Sequence, residues 1–423
     1  MGRHTLYVVT GNTDRSLFSG HLSPMGGTLW RGSYRCDQKS VRIRDGPVVC
    51  NRSGPYGVAG RPGGPAQHCV PLFRGLYRRR RCARFFGTAN PEESATGCSK
   101  PIWDQRLNKH TDAVLDYQNL GPDEVLAAVE SRGYTCDGHL LVLNSFENRV
   151  YQVGIEDNQA LIAKFYRPQR WNDAMIGEEH AFALELAADD VALIPPIPDP
   201  GGETLFQYGS YRFALFPRRG GRAPDLENPE HQRQLGRFLG RLHARGCMRA
   251  YEHRPTLDVT TFGVESCQFI LAHDFIPTDL ESAYQSLTDN LIQQIGWCYE
   301  RAGSVDLIRT HGDCHIGNIL WTDDGPHLVD LDDSRMTPAI QDLWMFLSGD
   351  RTDQEATLAR LLEGYTQFYE FDARQLHLVE ALRTLRLIHH YAWLARRWTD
   401  PAFPRAFPWF NSQRCWEQHI LDL

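Results

Sequence analysis

The segment His311-Gly312-Asp313-Cys314-His315-Ile316-Gly317-Asn318 sets an aspartate, four residues and then an asparagine on one loop. Enzymes that move a phosphoryl group use this spacing: the carboxylate takes the proton of the attacking hydroxyl, and the asparagine amide holds Mg2+. Asp313 is the expected base and Asn318 the expected metal ligand. Twelve residues after Asn318, Asp330 ends the short apolar run Leu328-Val329. A carboxylate at a strand end can bridge a metal to the β- and γ-phosphates of ATP, so Asp330 joins the catalytic set as the second metal ligand. His311, Asp313, Cys314 and His315 are also residue types that bind zinc, but no distant second cluster completes such a site.

Phosphoryl transfer needs a cation on the nucleotide and an element to hold it. Lys164 stands between apolar neighbours in a strand-like run at 160–165, and the helical stretch that follows, 174–188, offers Glu178 and Glu179 as partners. Glu179 is preferred, because Phe182, Ala183 and Leu186 then fall at i+3, i+4 and i+7 on the same inward face. A lone strand lysine can instead keep its head in water. What ties Lys164 to the loop is order: strand lysine, helix glutamate, a hinge near Phe216-Pro217, then Asp, Asn and Asp. The turn at 144–149 would cover the phosphates. It has no glycine, so the small polar Ser145 and Asn148 and the backbone N–H groups are its candidate contacts.

The surrounding pattern is that of an α+β protein with a bilobal, protein-kinase-like fold. A helix at 121–132 opens an N-lobe of residues 111–217. Strand-like runs follow at 140–144, 150–154 and 160–165, with a turn at Asp157-Asn158, and then at 204–208 and 211–216 beyond a Pro-rich connector. They form a small antiparallel sheet. Residues 218–423 read as a helical C-lobe: in 231–245 Leu235, Phe238, Leu239 and Leu242 recur with helical period, and 381–398 repeats it. The Pro-rich aromatic segment 401–410 cannot continue a helix and is expected to wrap the lobe.

The 423 residues carry a net charge of −7, distributed unevenly. Residues 1–110 hold 18 Lys and Arg against 6 Asp and Glu, with 15 Gly, 8 Pro and the run Arg78-Arg79-Arg80-Arg81. This basic extension lacks sustained periodicity and is expected to be disordered or non-native. A phosphate-seeking arm is the functional alternative, but no nucleic-acid partner is expected. No run is long and apolar enough for a membrane helix, and the first thirty residues lack a secretory signal's apolar block, so the expected compartment is the cytoplasm. Eleven cysteines without a C-x-x-C pair point to reduced thiols.

HGDCHIGNILW with VDLDD resembles the motifs of the aminoglycoside-phosphotransferase and choline-kinase clan. LNSFENRVYQV, KFYRPQRW, QDLWMFLSGD and RRWTDPAFPRAFPW are similar to the bacterial stress response kinase A family within it, over about residues 111–420. The resemblance implies a Mg2+-dependent kinase that uses ATP to phosphorylate Ser and Thr of proteins and of itself. It implies Asp313 as base, Asn318 and Asp330 as Mg2+ ligands and Ser145 as the nucleotide-loop serine. Two features bear on the acceptor. Gly312 stands where many protein kinases have arginine, so no arginine is expected beside the base. The short stretch between Asp330 and Asp342 leaves little room to position a peptide, which keeps a small-alcohol kinase, acting on homoserine, choline or an aminoglycoside-type alcohol, as the alternative. Asp332, Asp333 and Asp350 could draw cationic substrates. A monomer is expected.

Overall fold

Pro122 presets the first turn of α1 (Pro122–Glu130), and the Glu124 carboxylate accepts the Gly121 N–H at 3.1 Å. Five strands follow: β1 (Cys136–Leu143), β2 (Arg149–Ile155), β3 (Ala160–Phe165), and, after the helix α2 (Asp173–Ala188), β4 (Phe206–Tyr208) and β5 (Tyr211–Pro217). They make one antiparallel sheet in the order β1-β2-β3-β5-β4. β1 starts four residues earlier than its alternation suggests, because the register is irregular between Cys136 and Leu140. This computed structural model describes residues 117–156 and 160–423. The basic 1–110 segment and the Asp157-Asn158 turn lie outside the described residues.

β3 is the central strand, paired on both edges, so Lys164 faces Val150 of β2 and Ala214 of β5. The Asn172 side chain caps α2 by accepting the Met175 N–H at 2.9 Å. α2 buries Ile176, Phe182, Ala183 and Leu186, and with them two polar residues, Glu179 and His180. That inward polar pair explains why the helix has little amphipathic contrast.

Beyond β5 come α3 (Pro229–Gly246), α4 (Glu265–Ala272), α5 (Thr278–Ala302), β6 (Ile308–Thr310), β7 (Ile319–Thr322), β8 (Gly325–Leu328), β9 (Arg335–Thr337), α6 (Ile340–Trp344), α7 (Arg351–Tyr365), α8 (Val379–Arg396), α9 (Ala402–Ala406) and α10 (Gln413–Asp422). Leu235, Phe238, Leu239 and Leu242 of α3 are buried in the main core with Leu361 and Tyr365 of α7. The two helices meet closely: a Cβ on Gly236 would lie 1.9 Å from the Leu361 carbonyl oxygen. β6 pairs with β9 and β7 with β8, both antiparallel. These ribbons bracket the Asp313–Asp333 loops. All the described residues fall in one compact unit.

The tail departs from expectation. Residues 402–406 do form a short helix, because Pro401 caps it and Pro404 sits in the first turn, where no N–H is owed to the helix. A last helix, α10, is capped by the Ser412 side chain. Phe403, Phe407, Phe410 and Trp416 are buried against Tyr284 of α5 and Ala392 and Leu394 of α8. The tail also reaches the other lobe, where Phe407 meets Phe146 at a ring separation of 4.8 Å.

Candidate active site

The central strand delivers Lys164 to a cluster of carboxylates. Its Nζ lies 2.9 Å from Asp330, 3.3 Å from Asp332 and 3.4 Å from Glu179. Lys164 is only 6% exposed. Burial works against its charge, but Asp330, Asp332 and Glu179 outweigh it and hold the ammonium pKa well above the ordinary lysine value. Glu179 is braced on its other oxygen by Arg254 Nη2 at 2.8 Å. Burial, with Asp332 and Asp330 repelling, raises its carboxyl pKa although Lys164 and Arg254 pull it down.

Glu178 and Glu179 point apart, as neighbours on a helix must. The Glu178 carboxylate accepts the backbone N–H groups of Glu252, His253 and Arg254 at 2.6 to 3.1 Å, and so anchors the loop that carries Arg254. A cavity of about 810 Å³ opens beside Lys164, Glu179 and Asp330, walled by Val150, Leu320, Val329 and the hinge pair Phe216-Pro217. Asp330 sits at φ 66°, ψ 70°, a left-handed conformation that costs an aspartate backbone strain.

Beside it, where the Val329 N–H donates to the Asn318 carbonyl at 3.0 Å, the 311–318 loop is held by Asp342, which sequence reasoning did not select. Asp342 is fully buried in α6, and its carboxylate accepts the N–H of His311 at 2.8 Å and of Gly312 at 2.9 Å. His243 lies 3.1 Å from the same carboxylate. Gly312 has φ 83°, and a Cβ there would come within 2.2 Å of the Asp333 carbonyl oxygen. Only glycine fits, which is why no arginine occupies that position. Asn318 donates through Nδ2 to the Asp313 carbonyl at 3.0 Å, leaving Oδ1 as its acceptor.

The expectation that no arginine stands beside the base is corrected by the structure. Arg386 of α8 pairs with the Asp313 carboxylate from far along the chain, with His315 Nε2 at 3.4 Å on the other side. Burial would raise the Asp313 pKa; Arg386, aided by His315 and His311, holds it well below the usual carboxylate range. The zinc-like quartet is also dispersed. His311 Nε2 lies 3.0 Å from the Val329 carbonyl oxygen, Cys314 is buried, and among the described residues no three His, Cys, Asp or Glu side chains are placed to hold a metal.

The 144–149 turn behaves differently from its sequence reading. Ser145 is half-buried, whereas Asn148 is turned inward and accepts the Arg167 N–H at 3.1 Å. The Asn148 side chain thus braces the turn against the Arg167 backbone. Glu147, not singled out earlier, is the hub: Arg397 Nη2 approaches it at 2.7 Å, Arg167 at 3.3 Å and Arg170 at 3.8 Å. Asp400 of the tail accepts from Arg167 at 2.8 Å and Arg149 at 3.2 Å. The acidic lure is likewise corrected. Asp332 pairs with Arg170 and Lys164, Asp333 with Arg170 at 2.8 Å and Arg335 at 2.9 Å, and Asp350 caps α7.

Residues 139–379 match the model of the phosphotransferase enzyme family APH, more than half of the chain. The chain belongs to that family. Within it, this phosphotransferase is 42% identical over 304 residues to "Stress response kinase A" of Escherichia coli O157:H7, covering 72% of this chain and 92% of that protein. It is equally 42% identical over 307 residues to "Serine/threonine protein kinase RdoA" of Salmonella typhimurium, covering 73% and 92%. Among solved structures, amicoumacin kinase hAmiN, in complex with AMP-PNP, Ca2+ and Ami, superposes at a TM-score of 0.54, with 18% identity and coverage of 70% and 94%. The microcompartment-associated aminopropanol kinase gives 0.54, 18%, 70% and 97%. These neighbours share the phosphotransferase fold, and a kinase of this family takes ATP as co-substrate. Among the described residues no helix is long and apolar enough to cross a membrane.

Proposed function

We propose that this phosphotransferase is an ATP- and Mg2+-dependent Ser/Thr protein kinase that also phosphorylates itself, acting as a cytoplasmic monomer in a bacterial stress response. The observation that supports this most is Lys164 held among Glu179, Asp330 and Asp332, with Asp313 and Asn318 on the loop that is hydrogen-bonded to Val329, the neighbour of Asp330. The two relatives bear the names of a stress response kinase and a Ser/Thr protein kinase. Asn318 Oδ1 and the Asp330 carboxylate are hard oxygen donors, and a pair of protein oxygens suits Mg2+, which otherwise keeps water and substrate phosphates. Bound there, Mg2+ would supply charge neutralisation for the phosphates.

In this reading Lys164 offsets charge on the phosphates and Glu179 keeps it in place. Asp313 orients the acceptor hydroxyl and takes its proton as the oxygen bonds to the γ-phosphorus and the bond to the β,γ-bridging oxygen breaks, releasing ADP. The short 330–342 stretch favours a second reading, a small-alcohol kinase, as the fold neighbours' names indicate for them. The test is the full chain with Mg2+ and γ-labelled ATP, alone, with a generic protein and with a panel of small alcohols. Label on itself and on protein, lost by about a thousandfold in Asp313→Ala, is expected. Label on small alcohols alone would replace the protein-kinase reading, and normal turnover by Asp313→Ala would remove Asp313 from its role.

A further inference from the structure

A second cavity, of about 500 Å³, lies on the other side of the Leu331–Asp333 turn from the one beside Lys164. Its wall includes four arginines, Arg170, Arg335, Arg396 and Arg397, with His389 and Trp393, and the one carboxylate among its lining residues is Asp333. Arg170 is spent on Asp332 and Asp333, and Arg397 on Glu147. Arg335 uses Nε on the Asp333 carbonyl and Nη2 on its carboxylate. Arg396 makes neither a hydrogen bond nor an ion pair among the described residues. Its guanidinium lies over the Phe269 ring, 4.9 Å from the centroid. His389, stacked on Phe262 and pushed down to about 3 by burial and by Arg335, stays neutral and leaves the charge of the cavity to the arginines.

The cavity is aligned with the base. Arg386, His389, Trp393 and Arg396 fall at i, i+3, i+7 and i+10 along α8, and Arg386 pairs with Asp313. At 1.5 Å per residue that strip leads from the catalytic carboxylate to Arg396 over about 15 Å, with the cavity starting about 5 Å along it. An extended peptide covers the same range in about two to four residues. Resting on the phosphoryl-transfer reading above, we propose that this cavity is an acceptor subsite for an anionic side chain, a carboxylate or a phosphate, two to four residues from the hydroxyl that is phosphorylated. Arg396, which feels the Glu265 charge but forms no ion pair with it, supplies the fork, and Arg335 and Arg397 add charge behind it.

The test uses the full chain and serine peptides that differ only at the positions three residues before and after the serine: Ala, Glu, phosphoserine or Lys. The expected order of kcat/KM is phosphoserine, Glu, Ala, Lys, with about a tenfold preference for Glu over Ala. Arg396→Glu should collapse that ratio, and Arg396→Gln should reduce it in the same direction. Fluorescence anisotropy of the labelled phosphoserine peptide without ATP should show binding by the wild type and by Asp313→Ala, weakened about tenfold or more in both Arg396 variants. Equal use of all four peptides, or a preference that survives both Arg396 substitutions, overturns the subsite. Peptide binding that depends on Arg396, with no label transferred to any peptide or to the protein, would leave the subsite standing and overturn the kinase reading instead.

Discussion

On the Lys164 side of the Leu331–Asp333 turn, the charges are already matched: Lys164 is shared by Asp330, Asp332 and Glu179, and Arg254 completes Glu179. On the other side, four arginines surround a single lining carboxylate, and Arg396 is left over. One cleft is a preset cradle whose charged partners fix one another. The other holds one arginine, Arg396, without an ion pair among the described residues, beside three that are already paired. The contrast separates two tasks, since positioning a constant co-substrate needs rigid pairs, whereas selecting an acceptor needs a field that the acceptor itself completes.

The largest break in this contrast should come from Glu179→Gln. It keeps the shape but leaves Lys164 and Arg254, both buried, short of one carboxylate. Removing one partner of a buried pair costs several kcal/mol, so kcat/KM for ATP should fall about a hundredfold in steady-state assays. Glu178→Gln replaces one of the two oxygens that accept three backbone N–H groups, and its loss should be read in thermal stability, with ATP kinetics changed far less. Equal kinetic losses in the two variants would mean that Lys164 does not depend on Glu179.

What the sequence revealed and what it hid follow from how far apart the partners lie. Asp313, Asn318 and Asp330 were legible because one loop and one strand end place them, so spacing stands in for geometry. Lys164 and Glu179 needed only the period of a strand and of the next helix. The bracing by Asn148 was not legible, since a small polar residue in a turn faces phosphate or protein equally well, and the Arg167 N–H that it accepts belongs to another segment. Arg386 and Glu147 were hidden for the same reason: their partners are distant in the chain, and an arginine on a helix gives no local sign of what it meets. The tail's short helix was missed because proline forbids a helix interior but not its first turn.

A smaller effect is expected where the two sides meet at the base. Arg386 touches Asp313 and begins the α8 strip that ends in the arginine cavity. Acting as a positioning residue, it fixes the carboxylate proposed to receive the acceptor proton. Arg386→Met should lower kcat about tenfold with little change in KM for ATP, and Arg386→Lys should recover part of it, because the charge returns without the planar fork. A raised KM for ATP with unchanged kcat would place Arg386 on the nucleotide side and undo the division.

Glu147 belongs to both sides, and its loss should be felt in folding more than in chemistry. It sits in the 144–149 turn, between Leu143 and Val150 of the wall beside Lys164, and gathers Arg167, Arg170 and Arg397, two of which wall the arginine cavity. Burial alone would raise its carboxyl pKa, but Arg170, Arg397 and Arg167 hold it below the ordinary value of 4.5. A carboxyl whose folded pKa is depressed stabilises the fold above its unfolded value, and that contribution disappears as pH falls from about 4.5 through the folded value. Glu147→Gln should therefore lower stability by about 3 kcal/mol at pH 7, seen in denaturant unfolding, since the arginines lose their common partner. The gap between variant and wild type should close as pH drops below about 4.5, because the wild type then loses the same charge by protonation. A gap that stays constant to pH 3 would mean that Glu147 acts through its shape and hydrogen bonds alone, and the two cavities would then be joined by packing rather than by a shared charge.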